Sequence, residues 1–169
     1  MEVAYSATVG AELRANLASM ANADPIEGIL LLAAPDPELR SAAFESALQE
    51  LPVPVVGGIF PKLLYEGRNK ETGAVIVGLP SEPVVTTIPD LSGSETAFRE
   101  QLDPDLPARG YETAFVFVDT YATAIEAFIE ALFRTYSIEL TFVGGGGGTL
   151  EAQRPCLFTD EGAIEDAAV

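Results

Sequence analysis

The sequence predicts an α/β protein: a layered sheet, largely parallel with an antiparallel portion, flanked by helices. Three observations lead there. Apolar runs of strand length, "EGILLLAA" (27–34), "VPVVGGIF" (53–60) and "YETAFVFVDT" (111–120), lack alternation and suit strands buried on both faces. Segments with apolar residues at helical spacing separate several of these runs, giving β-α-β-α-β over the first third of the chain. In the middle, "ETGAVIVGL" (71–79) and "EPVVTTIP" (82–89) are strand-like runs joined by "PSEP", a link short enough for an antiparallel pair.

Taken in order, "EVAYSA" (2–7) reads as a first strand, and "GAELRANLASMAN" as a helix with Leu13, Leu17 and Met20 on one face. After the 27–34 strand, Asp36 is placed to cap a helix that has Pro37 at its first position. Leu39, Ala43, Ala47 and Leu51 form its expected buried stripe. A weaker helix is expected near Glu95–Leu102, followed by the proline-rich "LDPDLPARG". The helix after the 111–120 strand presents Ile125, Phe128, Leu132 and Tyr136, with Thr123 and Glu126 at capping-box spacing. "IELTFVGGGGG" and "RPCLFT" read as strands, and "EGAIEDAAV" as the start of a further element. No internal repeat is visible in the sequence.

Composition narrows the chemistry. Asp and Glu number 26 against 9 Lys and Arg, a formal net charge of −17, and the only lysines are Lys62 and Lys70. Such a field repels nucleic-acid phosphates and anionic membranes, so neither is an expected partner. The carboxylates are dispersed along the chain, and with lysine scarce they read as a surface adapted to high salt. The chain has no histidine. Ser–His and Cys–His nucleophile pairs, histidine general bases and most transition-metal sites are therefore excluded. The lone Cys156 has no partner for an intramolecular disulfide and no histidine to activate it. It reads as a buried, inert thiol in a reducing compartment. No signal peptide or membrane span is visible, and the expected location is the cytoplasm.

The five glycines Gly144–Gly148 raise the question of a phosphate cradle. Such a loop opens a helix, whereas here Pro155 and "CLF" follow, and no lysine completes a Walker ending. The run instead suits close approach of backbone to backbone, or of backbone to a small ligand. Asp119 ends an apolar strand, but the acidic pair and lysine that a receiver domain needs are missing. Capping of the next helix with Thr120 ranks ahead of contact with a polar ligand. Arg68, beside Lys70, and Arg154 could each hold a ligand carboxylate, with a solvated loop the plainer role for Arg68. No acidic spacing singles out a Mg²⁺ or Ca²⁺ site.

Several blocks together resemble the N-terminal domain of the FIST family of intracellular sensory proteins. They are "PVVGGIFP", "YEGRNKETGAVIVGL" and "GGGGGTL…RPCLFTDEGAIEDAAV". The family's glycine block usually reads Gly-Gly-Gly-Ala-Gly-Ser-Leu, with Gly147 here in place of the alanine and Thr149 in place of the serine. The resemblance implies one N-terminal-type domain over residues 1–169, ending before a second, C-terminal FIST domain. It also implies small-ligand sensing, amino acids among the ligands, coupled to that domain or to a signalling partner. It supplies no catalytic residues, and no cofactor or metal is expected.

With ligands lying at strand ends in α/β sheets, the expected binding residues are Gly57, Gly58, Phe60, Arg68, Asp119, Thr120, Gly144, Gly145, Gly146, Gly147, Gly148, Thr149 and Arg154. The alternatives are a carboxylate- or metal-dependent hydrolase or transferase, and a scaffold that docks a C-terminal partner. From the charge alone, the unfolding midpoint should rise between 0.1 M and molar KCl, as counterions screen self-repulsion. A midpoint that stays flat or falls in a melting series would contradict the high-salt reading.

Overall fold

A computed structural model describes residues 2–91, 93–149 and 155–169. In chain order the elements are β1 (Glu2–Ser6), α1 (Ala11–Ala21), β2 (Gly28–Ala33), α2 (Ala42–Gln49), β3 (Val55–Ile59), β4 (Leu63–Tyr65), β5 (Arg68–Lys70) and β6 (Ala74–Leu79). There follow β7 (Ile88–Pro89), α3 (Glu95–Gln101), β8 (Thr113–Asp119), α4 (Ile125–Tyr136), β9 (Thr141–Gly147), β10 (Leu157–Thr159), β11 (Gly162–Ile164) and β12 (Ala167–Ala168). The first sheet has the order β1-β6-β2-β3-β10-β11 and the second β7-β12-β8-β9, while β4 and β5 form a separate hairpin.

The α/β class is as the apolar runs predict, and both sheets are mixed. Parallel pairing is limited to β2–β3 and β8–β9 among the described residues. The reason lies in the connections. The α2 and α4 crossovers join neighbouring parallel strands, but β6 is inserted between β1 and β2, antiparallel to both. In the same way β12 lies between β7 and β8, antiparallel to both. The expected hairpin between 71–79 and 82–89 does not form, because β6 finds its partners in β1 and β2. Of the second run only Ile88–Pro89 is strand.

These orders expose a repeat that the residues conceal. Sheet order β1-β6-β2-β3 in the first half becomes β7-β12-β8-β9 in the second, each number raised by six. Each half runs β-α-β-α-β, then a hairpin, then a strand inserted between its first two. The halves differ in where their hairpins go. The hairpin β10–β11 joins the first sheet beside β3, whereas β4–β5 joins neither sheet.

Four layers result, helices outside and the two sheets face to face. On the outer face of the first sheet, Ile29, Leu31, Val55, Ile59 and Ile76 pack under Leu13 and Leu17 of α1 and Phe44 and Leu48 of α2. Phe158 packs edge-on to Phe44, with ring centroids 5.6 Å apart. Phe98, Phe128 and Leu132 cover the second sheet's outer face at Val118, Ile88 and Ala168. Between the sheets lie Leu30, Val56, Phe117, Cys156 and Leu157, and Cys156 is buried as expected.

Two helix starts differ from expectation for local reasons. Asp36 does cap, but over a 3-10 turn (Pro37–Arg40), and Ser41 then leaves helical geometry and caps α2 afresh. That reset moves the buried stripe from Ala43 and Ala47 to Phe44 and Leu48. The helix α4 starts at Ile125 with no side-chain cap, so Thr123 and Glu126 form no capping box. The turn after β8, closed by the bond from Ala122 N–H to the Asp119 carbonyl, sets that start instead.

A groove at the bare edge of β9

The expected site residues separate into three groups. Gly57 and Gly144 face close-packed backbone: a Cβ at either would overlap a carbonyl oxygen of the adjacent strand, Leu31 or Val116 respectively. Their glycines are demanded by strand approach. Gly57 also lies in the row of Val55 and Ile59, which packs towards α1 and α2.

The second group forms the join between the sheets. The Gly147 carbonyl accepts from Thr120 N–H at 3.1 Å and from the Thr120 hydroxyl at 2.9 Å. The Cys156 thiol lies 3.5 Å from the same oxygen. Gly148 N–H donates to the Ile59 carbonyl at 2.8 Å, bridging from the end of β9 to the end of β3. The Tyr121 hydroxyl donates to the Thr149 carbonyl. Asp119 is fully buried, its Oδ1 accepting from Tyr121 N–H at 2.9 Å and its Oδ2 from Asp166 N–H at 2.8 Å. It thus fixes its own turn and the approach to β12, and does not cap α4.

The third group lines a groove of about 440 Å³ between the inner faces of the sheets. Phe60, Gly144, Gly145 and Gly146 meet there. Leu30 and Leu32 of β2 and Phe115 and Phe117 of β8 line it as well, and Phe60 packs edge-on to Phe117 at 5.8 Å. The opposite wall is Lys62, Leu63 and Leu64, leading into the β4–β5 hairpin. Gly58 sits nearby: a Cβ there would stand 3.5 Å from the Phe60 ring and 3.0 Å from the Cys156 carbonyl. Arg68 stays at the turn end of the hairpin, exposed and paired in register with Tyr65. Arg154 lies outside the described residues.

Within the groove, Gly144, Gly145 and Gly146 are exposed, and β9 is the outer strand of its sheet. Thr141 N–H donates to Glu112, and the Gly147 carbonyl accepts from Thr120, so the odd-numbered residues of β9 face β8. The N–H and C=O groups of Gly144 and Gly146 therefore point outward along the open edge. Gly145 alone of the run has nothing among the described residues within 4 Å of where a Cβ would be.

Among the described residues, one cation stands at this mouth. The Lys62 ammonium is 2.9 Å from Glu71. Its hydrogen bond, and then its charge, hold the Glu71 carboxyl below the ordinary value. Both side chains are well exposed, so the pair is weak and Lys62 can change partners at little cost. Lys70 is engaged elsewhere, its ammonium 4.9 Å from the centre of the Tyr5 ring, which stacks on Tyr65.

Sequence reasoning missed Lys62, Leu63, Leu64, Leu30, Leu32, Phe115 and Phe117. A signal existed for Lys62: it follows "GGIFP" directly and is one of two lysines in a strongly acidic chain. Among the described residues no group of three acidic or cysteine side chains is placed to hold a metal ion. Nor is any helix long and apolar enough to cross a membrane.

The glycine run makes a paired prediction. Gly144→Ala should lower the unfolding free energy by roughly 2 kcal/mol or more, through backbone displacement of the β8–β9 ladder. Gly145→Ala should be neutral or stabilising by up to about 1 kcal/mol, as a strand glycine replaced without steric cost. Equal effects in denaturant titrations would contradict this assignment of the two glycines.

A family model described as FIST N domain matches residues 27–169 of the chain. No curated protein and no solved structure matches it.

Proposed function

The chain belongs to the FIST family, whose N domain is a signal-transduction sensory domain, and from that premise we propose that it binds a small metabolite in the groove along β9. The ligand class that suits the lining is an amino acid or a related carboxylate with an apolar body. Leu30, Leu32, Phe60 and Phe117 receive the apolar part, while the outward amides of Gly144 and Gly146 and the exchangeable Lys62 receive the carboxylate. The observation that carries this reading is the bare, exposed backbone of Gly144–Gly146 facing Phe60 and Lys62 across one groove.

The topological repeat supports a mode of response. In the second half, the hairpin strand β10 pairs with β3, setting Leu157 opposite Gly58 and Phe158 opposite Gly57. Its counterpart β4 faces β9 across the groove without pairing to it. A ligand lodged between them holds this hairpin in one position relative to β9. Sensing is then a shift in the hairpin's population, read by a partner domain or a signalling protein, with no bond made or broken. Such a binding role sets the chain apart from a carboxylate- or metal-dependent hydrolase. Its acidic composition accords with action at high salt.

The test is a thermal-shift screen of the free amino acids in molar KCl, repeated with Gly145→Leu, whose side chain projects into the groove from a position that tolerates it. A ligand at ~100 times its dissociation constant stabilises the folded protein by about 2.7 kcal/mol, an easily measured shift. One amino acid or a related set should raise the midpoint of the parent protein, and Gly145→Leu should abolish the rise with little change in its own midpoint. An equal rise in both proteins would place the ligand elsewhere, and no rise with any amino acid would contradict the ligand class.

A further inference from the structure

The edge of β9 is unlike the edges of the other outer strands. An outer strand carries unpaired N–H and C=O groups, and charge, proline, brevity or a bulge ordinarily keeps it from pairing with another chain. Here β1 carries Glu2, β7 is two residues long and contains Pro89, and β11 is three residues long. By contrast β9 has seven residues, none charged and none proline, and its register with β8 runs from Thr141 to Gly147 without a bulge. Residues 140–149 are free of charge altogether, in a chain whose formal net charge is −17.

Apolar side chains flank this edge on both faces. On the helix side Phe142 packs edge-on to Phe133, ring centroids 5.4 Å apart, and Phe133 is 57% exposed. Ile129 lies four residues before Phe133 in α4, on the same flank of the helix, and is half-buried. On the groove side Val143 is 48% exposed and stands with Phe115, which is exposed as well. Between the two faces the N–H and C=O groups of Phe142, Gly144 and Gly146 point outward, without partners among the described residues.

The strand is also its own complement. Its bulk lies at one end, in Phe142 and Val143, and its open backbone at the other, in Gly145 and Gly146. Turned antiparallel about a two-fold axis at Gly144, two copies set Phe142 opposite Gly146 and Val143 opposite Gly145. Each bulky side chain then lies beside a bare glycine, a favourable cross-strand pairing for an aromatic ring. Parity agrees: the residues with outward groups meet one another as hydrogen-bonded pairs, and Val143 meets Gly145 as the non-bonded pair between them. The faces agree too, since residues of equal parity lie on the same side of a strand. Glycine-rich strands specify register weakly, and here the fit of large against small sets it.

We propose that two copies of the chain associate through β9, antiparallel and centred on Gly144, joining the second sheets of two molecules into one. Molar salt favours this association, because it screens the repulsion between two chains of like charge while the paired strands carry no charge of their own. The pairing needs no metabolite. On the ligand reading above, however, the second copy and the metabolite's carboxylate claim the same groups of Gly144 and Gly146, and so exclude one another.

The test is disulfide cross-linking in molar KCl with oxidised glutathione, in a protein carrying Val143→Cys and Gly145→Cys. Each introduced thiol then faces its counterpart in the other copy at a separation that a disulfide spans, while diagonal neighbours are too far apart. The native Cys156 is buried and stays out of the exchange. A control with Thr141→Cys and Gly145→Cys moves one thiol out of register by two residues. The first protein should form covalent dimer about ten-fold or more faster than the control. The parent chain should sediment as a dimer, and Phe133→Glu, at an exposed position outside the groove, should weaken it by about ten-fold or more. Equal cross-linking of the two proteins, or a parent chain that stays monomeric at every concentration, would overturn the proposal. Free amino acids are added singly in a further arm, and one that raises the melting midpoint of the parent chain should slow cross-linking. A midpoint raised with cross-linking unslowed would refute the mutual exclusion. An intact cross-link with no amino acid raising the midpoint would count against the ligand reading alone.

Discussion

The carbonyl oxygen of Gly147 is where the two sheets become one structure. It receives the amide and hydroxyl of Thr120 and lies against the Cys156 thiol, while the next amide, Gly148, donates across to β3 at Ile59. Of these five residues all but Thr120 are buried, and the chain crosses there from the second sheet towards the first. A Cβ at Gly148 would fall 2.5 Å from the Thr120 hydroxyl, and one at Gly147 would fall 2.7 Å from the end of the Leu157 side chain. The second obstacle can rotate away, which agrees with alanine being the residue that the family resemblance places at position 147. Glycine here is a packing requirement first. The groove exists because the same strand, two residues earlier, has left the join and lies bare along the sheet edge.

The groove comes from one architectural fact, that the two halves repeat a topology without repeating a sequence. Where the hairpin of one half docks on a glycine-bearing strand, the hairpin of the other stands off and leaves the groove. The docked hairpin shows what geometry the other hairpin can accept. Asp119 steadies the second half, since its two oxygens tie the turn after β8 to the residue preceding β12.

Continuous apolar runs revealed β2, β3 and β8, because strands covered on both faces need no alternation. Helical spacing revealed α1 and α4. The repeat is not legible there: the strands that complete it are short, and for β10, β11 and β12 the sequence offers only one short strand and the beginning of a further element. The run 82–89 shows why composition alone overreaches, since strand propensity becomes a strand only beside a partner. For the candidate site, the glycine run marks two structural positions. Gly147 and Gly148 belong to the join, and Gly145 looks into the groove. Arg68 attracted attention as a cation, whereas Lys62 is the one the fold brings to the groove, because the β4–β5 turn carries Arg68 away from it.

The central claim is that the bare edge of β9 is a ligand surface and not only a by-product of the crossing. The most direct measurement is a backbone amide map by nuclear magnetic resonance, recorded while free amino acids are titrated into the protein in molar KCl. The account predicts saturable shifts concentrated at Gly144, Gly146, Phe60 and Lys62, with Leu63 and Leu64 following as the hairpin settles against the ligand. Saturable shifts that leave these residues untouched, or no saturable shift with any amino acid, would contradict it.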